Sequence, residues 1–423
     1  MKKICAIILA AGRGTRMRSD KPKALQLLCG EPLVIHVIKN LKKVSDIKRI
    51  VVVLGYKGRQ VEKCIGKEYP DIEFVYQREI SGTASAVKAA LPKVKEDKVL
   101  ITCTDVPLLR SKTLKNFIRK VYSKKVLASV ITADCSSPND LGVVMRDLKG
   151  MVSAIKEKRE LRLSDIRTNE INSGVYFFDR KHLSDNIKKI HNDNKKKEYY
   201  LTDIIAIFNK AKIGILPYKL KDYEEVMGIN DRCELQKAQK VARLRVFDAL
   251  FSKGVTVVDS SNTYISDTAK IGKGTVIYPF TFIEKNVIIG DNCSLGPFLR
   301  VRSGTCIKNN VQLGNFLEVN RCSIDSDVKA KHFGYIGDTR ISKNVNIGAG
   351  VVVANYDGYL KHKTNISENA FVGSNSTLVA PAVVGKNAVI GAGSVVTKPV
   401  NKGKVVAGVP AKEIISKRKK RKV

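Results

Sequence analysis

A short glycine-rich segment near the start of the chain carries residue types that bind phosphate. It reads AAGRGTRM over residues 10–17, and Lys21 and Lys23 follow it. Glycines let backbone N–H groups approach a ligand closely, while Arg and Lys side chains supply positive charge. The segment has neither the GxxxxGK[ST] nor the GxGxxG spacing. We therefore predict a triphosphate-binding loop outside both of those classes, the alternative being a basic loop without a ligand.

The elements around this loop should form an α/β domain. Apolar runs predict strands over residues 3–9, 49–54, 73–76 and 99–103, and helical patterns begin near Pro32 and cover residues 59–65 and 84–91. Strands that alternate with helices indicate a doubly wound parallel sheet, which binds ligands at the carboxyl ends of its strands. Gly12, Gln77, Gly82 and Asp105 all fall just past such ends. This convergence predicts the position of a binding site.

The second half of the chain is organised by a repeat. An aliphatic residue recurs at every sixth position from Ile265 to Val319, and after one-residue slips at Ile324 and Ile341 the period continues to Val396. Neither a helix nor a flat strand has this period. Short strands separated by similar turns, three to a coil, do have it, so the repeat predicts a left-handed parallel β-helix. Residues 355–365 break the period and should form a loop that leaves the coil.

We divide the chain accordingly. We predict a nucleotide-binding α/β domain over residues 1–229, a helical linker over 230–252, the β-helix over 253–410 and a basic tail over 411–423. A length of 423 residues favours more than one domain.

Composition bounds the partners and the compartment. The net charge of +36 could indicate nucleic-acid or membrane binding, but lysines are scattered along the whole chain, and we favour anionic, phosphorylated ligands. We expect no nucleic-acid or membrane partner. The nine cysteines lack metal-ligand spacing, and Cys5, Cys103 and Cys293 stand where apolar residues belong, which is typical of reduced thiols in a cytoplasmic protein. The apolar run near residue 4 is too short for an export signal.

The run LAAGRGTRMRSDKPKAL resembles the signature of sugar-1-phosphate nucleotidyltransferases. Together with hexapeptide repeats, it is similar to the bifunctional family that joins an N-acetylglucosamine-1-phosphate uridyltransferase to a glucosamine-1-phosphate N-acetyltransferase. The resemblance implies synthesis of UDP-N-acetylglucosamine: acetyl transfer from acetyl-CoA, then uridylyl transfer from UTP with Mg²⁺. It also implies a homotrimer packed through the β-helices.

For the uridyltransferase half, the resemblance implies Mg²⁺ ligands at Asp105 and Asn230. It further implies nucleotide- and sugar-binding positions at Leu9, Ala10, Gly12, Gly14, Arg16, Lys23, Gln77, Gly82, Thr83, Gly142, Glu157, Asn172 and Asn230. Three residues depart from the family pattern: Ile80 replaces a Gln, Cys103 an aromatic residue and Thr104 a Gly.

For the acetyltransferase half, the resemblance implies that His332 is the general base and that Glu318 orients its ring. It implies sugar and acetyl-CoA positions at Arg302, Glu318, Asn320, Tyr335, Asn346, Asn355, Tyr356, Lys361, Ser374 and Ala392. The family has a Lys where this chain has Asn320, and Arg321 stands beside it.

Two other interpretations remain open. The first is a sugar-1-phosphate nucleotidyltransferase with a purely structural β-helix. The second is a non-catalytic subunit resembling those of the translation-initiation exchange factor. The intact segment over residues 12–23, with Asp105 and Asn230, argues against the second interpretation. His332, Glu318 and the NYDG sequence that begins at Asn355 argue against the first.

Overall fold

Buried apolar strands and the helices that cover them build the first half of the molecule. The computed structural model describes residues 3–135, 142–156, 168–194 and 197–414. The chain divides into two units, Met1–Val241 and Ala242–Val423. The helices are α1 Leu33–Lys42, α2 Gly58–Gly66, α3 Thr83–Ala90, α4 Ser111–Ser123, α5 Arg180–Ile187, α6 Ile204–Lys210 and α7 Arg232–Phe251. The strands of the first unit are β1 Ile4–Ala10, β2 Leu27–Leu28, β3 Glu31–Pro32, β4 Ile47–Leu54, β5 Glu73–Tyr76, β6 Lys98–Cys103, β7 Ala128–Asp134, β8 Val143–Arg146, β9 Val152–Lys156, β10 Glu170–Asp179 and β11 Ile215–Leu220.

The main sheet has the order β11-β7-β10-β6-β1-β4-β5. Its central strand β1 is buried on both faces. Ile4, Ala6 and Ile8 pack into one apolar core, and the alternate residues Cys5 and Ile7 pack into a second core on the other face. The predicted α/β fold is thus confirmed, but β10 runs antiparallel to both β6 and β7. The alternation of strands and helices in the sequence gave no sign of this reversed strand.

The sheet also explains where a ligand can bind. Strand β1 pairs in parallel with β4 on one side and with β6 on the other. The carboxyl ends of these three strands therefore share one edge, and the strand order reverses there. The segments that follow β1 and β6 carry Gly12 and Asp105 respectively. Helix α1 begins one residue later than predicted, because Pro32 precedes the helix and is not its first residue.

The second unit is a left-handed parallel β-helix. Its strands are β12 Thr256–Val257, β13 Tyr264–Ile265, β14 Lys270–Ile271, β15 Val276–Ile277, β16 Phe282–Ile283, β17 Ile288–Ile289, β18 Ser294–Leu295, β19 Arg300–Val301, β20 Cys306–Ile307, β21 Gln312–Leu313, β22 Leu317–Asn320, β23 Ser323–Ile324, β24 Lys329–Ala330, β25 Gly334–Gly337, β26 Thr339–Ile341, β27 Asn346–Ile347, β28 Val351–Ala354, β29 Thr364–Ile366, β30 Phe371–Val372, β31 Thr377–Val379, β32 Ala382–Val384, β33 Val389–Ile390, β34 Val395–Val396, β35 Val405–Ala407 and β36 Lys412–Glu413.

Up to β34, every third strand of the β-helix stacks in parallel into the same sheet, and β35 and the antiparallel β36 then close the first sheet. The first sheet runs from β12 to β36, the second from β13 to β34 and the third from β14 to β32. The aliphatic residues of the six-residue repeat, Ile265 to Val396, point inward and form one continuous core. The repeat therefore marks the inward side chain of each short strand, as predicted.

Both one-residue slips and the predicted loop lie at a single corner, where the chain passes from the second sheet to the third. Arg300 pairs with Glu318, but Cys306 pairs with Ser323, so this coil loses one residue after β22. A second residue is lost between β25 and β26, and residues 355–363 leave the coil between β28 and β29. This corner of the β-helix thus carries both slips of the repeat and the loop.

Candidate functional site

Lys23, Asp105 and Asn230 meet at the carboxyl edge of the main sheet. The Lys23 ammonium donates to the Asp105 carboxylate and to the side-chain oxygen of Asn230, each at 2.8 Å. The exposed fractions of the Lys23 and Asp105 side chains are 15% and 27%, so the contact is partly shielded from water. Three residues from distant parts of the chain thus place one positive charge against one negative charge and a neutral amide oxygen.

Local structure holds each of these side chains. Gly14 has a φ of 65°, and a Cβ on it would lie 2.7 Å from the Cβ of Lys23. Only glycine therefore fits at position 14, where the loop after β1 crosses the lysine stem. On the other side, the Ile229 N–H donates to the Asp105 carbonyl at 2.9 Å, and the Asn230 N–H donates to the Glu234 carboxylate. These bonds keep the two oxygen-bearing residues next to each other.

The other positions predicted on and just before the glycine-rich loop differ in their surroundings. Leu9 and Ala10 end the buried strand β1. A Cβ on Gly12 would meet nothing within 4 Å. Arg16 lies in a 3-10 turn over Thr15–Met17 and is exposed. This open, cationic side of the loop can accommodate a ligand with several negative charges.

A cavity of about 260 Å³ opens beside the same loop. It is lined by Arg13, Thr15, Arg18, Ser19, Asp20 and Tyr56. The Arg13 guanidinium lies 5.3 Å from the centre of the Tyr56 ring, and the Lys57 ammonium lies 5.4 Å from it. Sequence reasoning did not single out Tyr56. The signal was nonetheless present, because Tyr56 follows the end of a strand just as Gly12 does.

Gln77, Gly82 and Thr83 form a second group at this edge. Gln77 is buried, and its side-chain amide donates to the Gly82 carbonyl at 3.2 Å and to the Ser85 hydroxyl. Gly82 has a φ of 116°, and a Cβ there would lie 2.4 Å from the Tyr199 carbonyl oxygen. The Thr83 hydroxyl accepts from the Leu201 N–H at 2.9 Å. This group packs the start of α3 against residues 199–201.

Gly142 and Asn172 also lie together, since the Asn172 N–H donates to the Gly142 carbonyl at 2.8 Å. The Asn172 side chain donates to the Tyr176 hydroxyl at 2.7 Å. Glu157, which belongs to the same predicted set, lies outside the described residues.

Cys103 is only partly buried, unlike Cys5 and Cys293. Burial, with a smaller effect of the nearby Asp105 charge, raises the pKa of the Cys103 thiol and keeps it protonated.

In the β-helix, the outer face of the second sheet carries four of the predicted positions. Glu318 and Tyr335 pair directly across β22 and β25. Arg302 donates to Glu318 at 2.9 Å and lies 3.9 Å from Glu284, so two carboxylates flank its guanidinium. Asn320 is buried at the end of β22. We had expected Glu318 to orient the His332 ring. Its carboxylate instead accepts a hydrogen bond from Arg302, which lies one coil away.

His332 lies at a different corner, between the first sheet and the second, and is exposed. Backbone hydrogen bonds run up this corner from Gly350 to Phe333, from Asn375 to Ala349 and from Gly393 to Ser374. Ser374 and Ala392 therefore lie above His332 on successive coils. Asn346 begins the neighbouring strand β27 of the first sheet. The corner of His332 thus forms one edge of the second sheet.

The loop after β28 leaves from the opposite edge of the second sheet. Asn355 is buried, and its side chain donates to Asp338. Tyr356 and Lys361 are exposed and bridge to each other across the loop. Inside the loop Asp357 accepts from His362 at 2.6 Å and from the N–H groups of Tyr359 and Leu360. Within one chain, then, the loop and His332 lie on opposite edges of the same sheet.

The corner of the loop carries two residues that the predicted set did not include. The Arg321 guanidinium donates to both oxygens of Asp338, each at 2.6 Å, and to the Asn320 side-chain oxygen at 3.1 Å. Arg321 has a φ of 53°. The pKa of Asp338 is lowered, first by the hydrogen bond from Arg321 and further by that from Asn355. The slip of the repeat beside Asn320 was the available signal for this pair.

The two halves of the chain match two classes of transferase. Residues 5–223 match the nucleotidyl transferase family, and residues 268–303 and 363–398 match the bacterial transferase hexapeptide repeat. The protein is therefore a nucleotidyltransferase joined to a hexapeptide-repeat transferase.

Curated relatives have the same two parts. The chain is 36% identical to the bifunctional protein GlmU of Geobacillus sp. (strain WCH70), over 91% of this chain and 91% of the relative. It is 39% identical to that of Thermosipho africanus (strain TCF52B), over 97% and 96% of the two chains. It is 36% identical to that of Clostridioides difficile (strain 630), over 90% and 89%. The chain belongs to the family of the bifunctional GlmU proteins, which confirms the predicted two-part enzyme.

In the described part of the chain, no helix combines the length and the apolar character needed to cross a membrane.

Proposed function

We propose that the protein makes UDP-N-acetylglucosamine in two steps. The β-helix transfers an acetyl group from acetyl-CoA to glucosamine-1-phosphate. The α/β unit then transfers a uridylyl group from UTP to N-acetylglucosamine-1-phosphate and releases pyrophosphate. The observation that carries the proposal is the meeting of Lys23, Asp105 and Asn230 beside the open loop at residues 12–16, in a chain of the bifunctional family.

The oxygen pair of Asp105 and Asn230 suits Mg²⁺. A carboxylate and an amide oxygen are ligands of the kind that this hard cation prefers, and both already hold a cation, the Lys23 ammonium, at 2.8 Å. When bound, Mg²⁺ would neutralise charge on the phosphates of UTP. The described residues therefore fit the ion.

The remaining work of the uridylyl step is positioning. The sugar phosphate attacks the α-phosphorus of UTP while pyrophosphate leaves, and both reactants are anions. The backbone of Gly12 and Gly14 with the side chains of Arg16 and Lys23 would hold the triphosphate and offset this repulsion. The nucleotide pocket would be shaped by Leu9, Ala10, Gln77, Gly82 and Thr83. The sugar would be contacted by Gly142, Glu157 and Asn172.

In the acetyl step, the amine of glucosamine attacks the thioester of acetyl-CoA. His332 would take the proton, and the CoA thiolate would leave. The cofactor would lie along the corner of Ser374 and Ala392, near Asn346. The sugar phosphate would meet Arg302 on the outer face of the second sheet, beside Tyr335.

A homotrimer would complete this second site. The loop bearing Asn355, Tyr356 and Lys361 lies on the far edge of the second sheet from His332, so it is better suited to cover the His332 site of a neighbouring subunit than its own. We also propose a cytoplasmic location, which the nine free thiols support.

One assay tests the whole proposal. Purified protein is given glucosamine-1-phosphate, acetyl-CoA, UTP and Mg²⁺, and CoA thiol and pyrophosphate are followed separately. Both products are expected, and pyrophosphate should depend on prior release of CoA. Pyrophosphate formation from N-acetylglucosamine-1-phosphate and UTP, without any CoA release from glucosamine-1-phosphate and acetyl-CoA, would support the second candidate. That candidate is a uridyltransferase with a structural β-helix, which the uncharged Asn320 favours.

A further inference from the structure

A lysine ammonium lies where the proposed divalent cation would bind. Lys23 donates to Asp105 and to Asn230 at 2.8 Å each, and these are the two residues assigned above to Mg²⁺. The positive group therefore has the same two oxygen contacts that the metal would need.

The backbone of both oxygen-bearing residues is held by contacts other than the lysine. The Ile229 N–H binds the Asp105 carbonyl at 2.9 Å, and Glu234 binds the Asn230 N–H. Both contacts hold backbone atoms of Asp105 and Asn230, and neither involves Lys23. The lysine stem passes Gly14 at its root, and beyond the root it has several rotatable bonds. The oxygen pair can therefore stay in place while the ammonium moves away.

An ammonium and a divalent cation cannot share these oxygens. At contact distance, two positive charges in a partly shielded site repel each other strongly. Lys23 exposes 15% of its side chain, so water screens this repulsion only in part. Binding of the divalent ion must therefore break both hydrogen bonds of Lys23.

We propose that Lys23 is a built-in competitor of the divalent cation, and that the phosphates of the nucleotide draw it off the Asp105–Asn230 pair. Without nucleotide, the metal must displace a charge-assisted hydrogen-bonded partner and binds weakly. With nucleotide, the lysine gains phosphate oxygens and the carboxylate becomes free for the metal. Because coupling between two ligands is reciprocal, the metal also strengthens nucleotide binding.

The inference rests on the proposed metal site, and its test separates the two. Mn²⁺ binding to the nucleotide-free full-length protein is measured by electron paramagnetic resonance of the free ion. Wild type is compared with Lys23→Met, and with Lys21→Met as the matched control. Lys21 is exposed on the same loop, so its replacement removes an equal charge nearby. Thermal unfolding of each variant checks that the fold is kept, and Lys23→Gln provides a second neutral replacement.

Lys23→Met should bind Mn²⁺ about tenfold more tightly than wild type, since two charge-assisted hydrogen bonds no longer compete. Lys21→Met should bind it roughly twofold more tightly at most, through a screened interaction. Equal affinities of the Lys23→Met and Lys21→Met proteins, or weaker binding by Lys23→Met, would overturn the exchange. Asp105→Asn should lose the Mn²⁺ site. If Asp105→Asn binds Mn²⁺ as wild type does, the metal lies elsewhere and the proposed site falls together with the exchange.

Discussion

Arg321 offers a sharp test of the acetyltransferase half. The resemblance implies a lysine that pairs with the sugar phosphate at position 320, but this chain has Asn320 there, which carries no charge. In an extended strand, the next residue would point to the opposite face. Here the chain leaves β22 at Asn320, and the φ of 53° at Arg321 turns that side chain outward. Its guanidinium then donates to the Asn320 side chain at 3.1 Å, so a positive charge stands beside the vacated position.

We expect Arg321→Ala to raise the KM for glucosamine-1-phosphate by about ten- to a hundredfold, the worth of a charge-assisted contact with a phosphate. Asn320→Ala should change it much less. Arg321→Ala should also lower the free energy of unfolding by about 1–3 kcal/mol, because Asp338 would lose two hydrogen bonds at a partly buried site. The Asp338 side chain is 14% exposed, and Asn355 would remain as its partner.

The assay follows release of CoA thiol while glucosamine-1-phosphate is varied at saturating acetyl-CoA. Asp338→Asn is the matched control, because it breaks the same ion pair but keeps the Arg321 charge. Its effect on the KM should be much smaller than that of Arg321→Ala, at a similar loss of stability. If Arg321→Ala has a KM within twofold of wild type, Arg302 alone holds the phosphate and the reasoning is refuted.

Further predictions concern both units. Asp105→Asn should lower pyrophosphate release by orders of magnitude and spare CoA release, and near-normal pyrophosphate release would remove Asp105 from the metal site. His332→Ala should lower CoA release about 10²–10⁴-fold and spare the uridylyl step; unchanged release at neutral pH would mean that the base is another group. If the wild type shows no acetyl transfer, Asn320→Lys should restore it, and failure to do so would assign the loss to another residue. Burial raises the pKa of Asp179, but hydrogen bonds from His182 and Lys98 outweigh burial and lower it to about 2. The stability that Asp179 contributes is therefore present above its unfolded pKa of about 3.9 and lost as the pH falls toward 2. Urea unfolding of wild type and Asp179→Asn should converge over that range, and a constant difference would contradict the assignment.

Much of the fold followed from local pattern. The residues of β1 are apolar on both sides, as a central strand between two layers of helices requires, and the helix predicted near residue 59 was found at Gly58–Gly66. The six-residue repeat was sufficient to predict the β-helix, because each coil contacts only its neighbours and repeats the same inward position. The predicted domain boundaries stay predictions, since helix α7 continues across the division between the two units.

Other features depended on contacts between distant parts of the chain. The reversed strand β10 is set by its partners β6 and β7, and no period in its own residues records that direction. Glu318 was expected to orient His332, but it binds Arg302 of the neighbouring coil, because stacking brings residues of successive coils closer than residues of adjoining corners.

The sequence by itself determined the kinds of group available to the protein: a cationic glycine-rich loop, an acidic residue after a buried strand, and a solenoid repeat with two slips. Only the tertiary structure decided that Lys23 contacts Asp105 and Asn230, which are separated from it by 82 and 207 residues. It also decided that Arg321 points outward, through the backbone rotation at the slip. The physical reason is the same for both. Residue type and spacing encode local conformation and burial, whereas the direction of a charged side chain depends on which opposite charge the folded backbone brings within hydrogen-bonding distance.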